Sequence, residues 1–82
     1  MIEIHFMKSL LLQIADGKTT FEAEKGQEIE FQKTAHALRH AYQQGYIGFF
    51  KAHQESVTGN QYYDKVFIDK ITNVGVHFLN VS

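Results

Sequence analysis

The change of hydrophobic periodicity at Gly45 constrains this chain most, and everything else must be arranged around it. Before it, Gln27 to Gln44 places Phe31, Ala35, Leu38 and Tyr42 on one stripe, with Thr34 and Ala41 at its border. That is the three-and-four spacing of an amphipathic helix. After it come two aromatic and β-branched runs, Tyr46 to Glu55 and Tyr62 to Ile71. Between them lies Ser56-Val57-Thr58-Gly59-Asn60, whose Gly59 and Asn60 tolerate positive φ, so the pair reads as a hairpin. Val66 and Ile68 share one face of the returning strand, Phe67 takes the other, and Tyr63 suits either. A hairpin with one apolar face has to be covered, and the helix just before it is the nearest cover.

The flanking segments supply the remaining layers. Ile2 to Ala15 reads as a first helix, because Met7, Leu10, Leu11 and Ile14 recur at i, i+3, i+4 and i+7, with Ile4 and Phe6 extending that face. Asp16-Gly17 stops it. In Lys18 to Glu24, Thr19, Phe21 and Ala23 alternate with polar neighbours, which favours a short half-buried strand over a brief second helix. Glu28 and Glu30 suit the positive end of the long helix, Arg39 and His40 its negative end. Thr72 is placed to cap a short helical turn, packed back through Val74, Phe78 and Val81. A third strand over Val74 to Leu79 is the competing reading.

At 82 residues the chain holds one domain. So small a core leaves a thin stability margin, and a homodimer joined through the first helix and the C-terminal segment is expected. The absence of cysteine excludes disulfides and thiolate metal sites and fits a reducing cytoplasm. Leu10-Leu11-Leu12 is the longest aliphatic run, so neither a membrane span nor a signal peptide is predicted. The net charge of −1 argues against indiscriminate nucleic-acid binding. The charge is uneven: residues 1–32 carry three lysines against six carboxylates, and residues 33–82 five cations against three carboxylates.

Two stretches carry a resemblance: Ala37-Leu38-Arg39-His40-Ala41-Tyr42-Gln43-Gln44-Gly45-Tyr46-Ile47, a helix leaving through glycine into a hairpin, and Lys70-Ile71-Thr72-Asn73-Val74-Gly75-Val76-His77-Phe78-Leu79, a capped close. In this order the chain resembles the winged-helix superfamily, in particular the small single-module proteins of bacteria, prophages and mobile elements. The resemblance implies an α+β winged helix-turn-helix with a C-terminal β-hairpin wing over about Phe50–Val66. Gln27–Gln44 would be its recognition helix. It further implies a cytoplasmic, non-catalytic DNA-binding regulator or accessory factor without a cofactor.

Such a module reads a duplex with polar side chains in the major groove and with cations near phosphates. The candidates on the helix are Gln32, Lys33, His36, Arg39, His40 and Gln43; those on the hairpin are Lys51, His53, Asn60 and Lys65. Arg39 has the chemistry for a guanine edge or a phosphate, and Gln32 and Gln43 for adenine. The plainer reading of these side chains is a solvated face, and the alternative function is a protein-interaction module on the same scaffold, binding a host or regulatory protein. His36 and His40 lie one turn apart, with His53 or Asp64 as a third ligand, but no glutamate follows the first histidine and Arg39 repels a cation. Two surface histidines are therefore expected. No phosphate-cradling glycine loop, serine elbow or carboxylate pair is present, so no catalysis is expected.

Overall fold

The computed structural model describes residues 3–57 and 60–81, with side chains described for 3–54 and 63–81. The elements are α1 (Ile4–Ala15), β1 (Thr20–Glu22), α2 (Glu28–Gln43), β2 (Phe50–Val57), β3 (Asn60–Ile68) and α3 (Asn73–Val81). The predicted start at Ile2 lies outside the described residues.

Glu3 caps α1: its carboxylate accepts the N–H groups of His5 and Phe6, both at 3.0 Å. A glutamate can take the role serine or aspartate usually fills because it satisfies two otherwise orphan donors at the positive end of the helix. Its carboxyl is held below the usual glutamate range, chiefly by the His5 N–H. The Phe6 N–H and the charges of His5 and Lys33 act in the same direction, against an opposing loss of hydration. A carboxyl that titrates lower when folded contributes its full stability above the ordinary glutamate pKa and loses it as pH falls through the depressed value. Acid is therefore expected to fray this end first. An NMR pH titration should show the His5 and Phe6 amides moving with Glu3, and Glu3→Gln should remove that dependence.

Met7, Leu10, Leu11 and Ile14 are the buried face of α1. Its exit is a Schellman turn: Gly17, at φ 109°, donates to Ile14 O and Lys18 donates to Gln13 O. α2 ends the same way, with Gly45 at φ 80° donating to Tyr42 O and Tyr46 donating to Ala41 O. Only glycine takes this conformation without steric cost.

The buried stripe of α2 is Phe31, Ala35, Ala37, Leu38 and Ala41. Ala37 is therefore core, and Tyr42, expected inside, is 47% exposed and stacks on Phe50 at 6.3 Å. The stripe is turned toward its alanines because α2 packs on three neighbours, α1, β2 and β3, so its covered face is wider than one side.

The strands form an antiparallel sheet in the order β1-β3-β2. Phe21, Val66 and Ile68 are buried, and Phe67 faces outward. One helix and not two separates β1 from the hairpin, so the second helix of a helix-turn-helix has no counterpart among the described residues. Residues 24–27 allow only a tight turn there, closed by Gln27 N donating to Glu24 O.

The hairpin strands differ from expectation at both ends. Ser56 and Val57 belong to β2 and Asn60 to β3, while Thr58 and Gly59 lie outside the described residues. Tyr46 to Phe49 is a connecting segment, anchored by buried Ile47 and its bridge to Ile71.

Residues 73–81 form a full helix, which excludes the strand over Val74 to Leu79. It docks through Gly75, Phe78 and Leu79; Val74 and Val81, expected to pack, are 52% and 64% exposed. Phe78 stacks on Tyr46 at 4.6 Å. Thr72 starts the helix: its Oγ1 accepts from Gly75 N at 3.1 Å and donates to Gly45 O, and its N–H donates to Tyr46 O at 2.9 Å. One residue thus joins the exit of α2 to the entry of α3.

Candidate nucleic-acid interface

Lys33, His36, Arg39, His40 and Gln43 are exposed and Gln32 is half-buried; their three- and four-residue spacings place all six on one side of α2. They are not equally available. Lys33 turns toward α1, its ammonium 4.7 Å from the centre of the Phe6 ring. His36 meets the ring of Tyr63 edge-on at 5.8 Å. His40 borders a shallow hollow of about 120 Å³ with Ile4, Met7, Tyr46 and Phe78. The Arg39 side chain makes no hydrogen bond, ion pair or ring contact with a described residue, which leaves its guanidinium the most available basic group of the stripe.

Gln32 is committed internally. Its Oε1 accepts from Tyr63 N and its Nε2 donates to Tyr63 O, both at 2.9 Å. Nε2 also donates to Glu28 O at 2.7 Å. An amide that presents donor and acceptor side by side can stand in for a neighbouring strand, and here it does so beside the point where Ala23 N closes on Asp64 O. The amide that sequence reasoning assigned to adenine is occupied by backbone. A partly polar residue on the flank of an apolar stripe was the available signal, but its partner lies 31 residues away.

The hairpin reaches α2 because of a bulge. His53 pairs with Lys65 and Gln54 with Tyr63, so Asp64 is an extra residue in β3. Strand side chains alternate, and one inserted residue reverses the faces beyond it. Lys65 and Phe67 point outward; past the bulge Tyr63 turns inward, against the core and His36. Asp64 meets His53 on the outer face, with Nδ1 and Oδ1 2.6 Å apart.

The same alternation separates the hairpin candidates from those on α2. Ala52, Val66 and Ile68 face the helices, so Lys51, His53 and Lys65 occupy the opposite side of the sheet from α2. Lys65 is paired there with Glu22 at 3.0 Å and stands 5.7 Å from the ring of Phe67. Lys51, directly opposite Phe67, is exposed. The side chain of Asn60 lies outside the described residues. The stripe of α2 and the outer hairpin face are therefore two surfaces, joined where Gln32 and His36 touch Tyr63.

No group of three or more His, Asp or Glu side chains arranged to hold a metal occurs among the described residues. No helix among them is long and apolar enough to cross a membrane. Comparison with family models, curated proteins and solved structures finds no match.

Proposed function

We propose that this is a small winged-helix DNA-binding protein, a transcriptional regulator or accessory factor that acts by docking α2 into a major groove. The observation that carries the reading is the exposed stripe of Arg39, His36, His40 and Gln43 on a helix flanked by a projecting hairpin in a β1-β3-β2 sheet. That sheet order, with α1 before β1 and α2 before the hairpin, suits a winged-helix arrangement even without a second helix of the helix-turn-helix. Arg39 supplies the base-edge or phosphate contact. The hairpin, through Lys51, meets the flanking backbone as a separate, weaker contact.

Binding to duplex DNA should weaken steeply with salt, as phosphate contacts release counterions. Arg39→Ala should cost about 1–3 kcal/mol of affinity, and Lys51→Ala should lower the salt slope by about 1 with little change in sequence preference. Fluorescence anisotropy on random and selected duplexes at several salt concentrations measures both. Retention of full affinity by the double variant sinks the reading.

A second reading, a protein-interaction module, is favoured by one specific observation. Ile29, Tyr42, Phe49, Val74 and Val76 are exposed, while Lys65 and His53 already face carboxylates of this chain. Loss of partner binding on changing these apolar residues, with Arg39→Ala silent, would select it.

A further inference from the structure

The hollow between α1, β1 and the first half of α2 has a volume of about 260 Å³. Its two helical walls come from positions spaced i, i+3, i+4 and i+7 on α1 and again around the start of α2, the mark of two faces turned toward each other. Phe6, Phe21 and Phe31 supply aromatic surface. Glu22, Glu24 and Glu30 stand around them with Lys18 as the cation of the lining, and Lys33 holds its ammonium 4.7 Å from the Phe6 ring. Glu22 is paired outside with Lys65, whereas Glu24 and Glu30 have no side-chain partner among the described residues.

This hollow already holds an ammonium. Lys18 places its Nζ 4.4 Å from the centre of the Phe21 ring and donates to Gln13 Oε1 at 3.3 Å. Ring face, amide oxygen and nearby carboxylates together form the environment that attracts an organic cation. We propose that the hollow is a binding site for a small free alkylammonium ion, which takes the place of the Lys18 head group over Phe21, with its alkyl chain against Phe6 and Phe31. Net negative lining supplies the sign of the ligand. The volume, slightly below the usual 300–1,000 Å³ or so of small-molecule sites, sets its size. Phe21 and Gln13 hold the head group; Glu24 and Glu30, beyond ion-pair distance from it, supply the negative field of the hollow.

The test is an NMR titration of the full chain with n-butylammonium chloride at constant ionic strength, with 1-butanol as the neutral control. Saturable amide shifts clustered on Phe6, Gln13, Phe21 and Phe31 are expected with the ammonium ion and not with the alcohol. Lys18→Met removes the internal competitor and should tighten binding about threefold. Glu24→Gln with Glu30→Gln, both at exposed positions, should weaken it by at least as much. An equal response to butanol, shifts scattered over the surface, or unchanged affinity in Lys18→Met overturns the proposal. These variants leave Arg39 and Gln43, on the other side of α2, untouched, so failure here is distinguishable from failure of DNA binding.

Discussion

Gly75→Ala is expected to lower stability by about 3 kcal/mol, in the upper range for overpacking a tight interface. For a domain this size that is a fall in Tm of roughly 12–24 °C. A Cβ at Gly75 would overlap the carbonyl oxygen of Tyr46 and come within 2.6 Å of Ile71 Cγ1. The Tyr46 carbonyl has little freedom, since it accepts from Thr72 N and follows directly on the turn that ends α2. Helix α3 would have to lift away, separating Phe78 from Tyr46 and breaking the Thr72 cap. Two effects compete here. Alanine is the better helix former by about 1 kcal/mol, so at an exposed helical site the same change would stabilise. The sign of the shift therefore decides between them, and thermal unfolding followed by circular dichroism reads it. A higher Tm would mean that α3 does not sit against residues 46 and 71 in this way.

Gln32→Ala is expected to cost about 2–3 kcal/mol, because it leaves both backbone groups of half-buried Tyr63 without a partner. The native state has only about 0.05–0.15 kcal/mol per residue to spare, so this is a large fraction of the total. Gln32→Glu separates the two bonds. A carboxylate still accepts the Tyr63 N–H but sets a negative oxygen against the Tyr63 carbonyl, so it should recover no stability over alanine at neutral pH. Urea unfolding gives the magnitude. Hydrogen exchange at the Tyr63 amide gives the location: protection should drop in Gln32→Ala and persist in part in Gln32→Glu. Unchanged exchange in the alanine variant would rule out the tie between helix and strand.

The parts of the fold that follow from local periodicity were readable in the sequence. The α1 face of Met7, Leu10, Leu11 and Ile14 is the buried one, and the glycine exits at Gly17 and Gly45 are where the helices stop. So is the split of Val66 and Ile68 from Phe67. What was not readable depends on contacts between distant residues. Tyr42 lies at the rim, 47% exposed and stacked on Phe50, a pairing that no spacing within α2 announces. Gly75 looks like a weak point in a short helix until the Tyr46 carbonyl lies beneath it. The bulge at Asp64 shifts the faces of β3 by one residue, and only the register of β2 against β3 reveals it. For the candidate site the result is mixed in the same way. The α2 candidates do share one side, since helical spacing dictates that. Lys51, His53 and Lys65 lie elsewhere because sheet alternation sends them outward, and Gln32 is spent on Tyr63.

The hydroxyl of Thr72 has a consequence for which sequences this scaffold accepts. One oxygen hands its proton to the Gly45 carbonyl and takes one from the Gly75 amide, so the position calls for an atom that is both giver and receiver. Aspartate can only receive, valine can do neither, and asparagine holds the two functions on separate atoms. At this seam the usable alphabet shrinks to two letters, threonine and serine. Both ends of the joint are glycines, so a designer redrawing the surface of α2 would inherit three letters, distant in the chain and joined in space, as a fixed set.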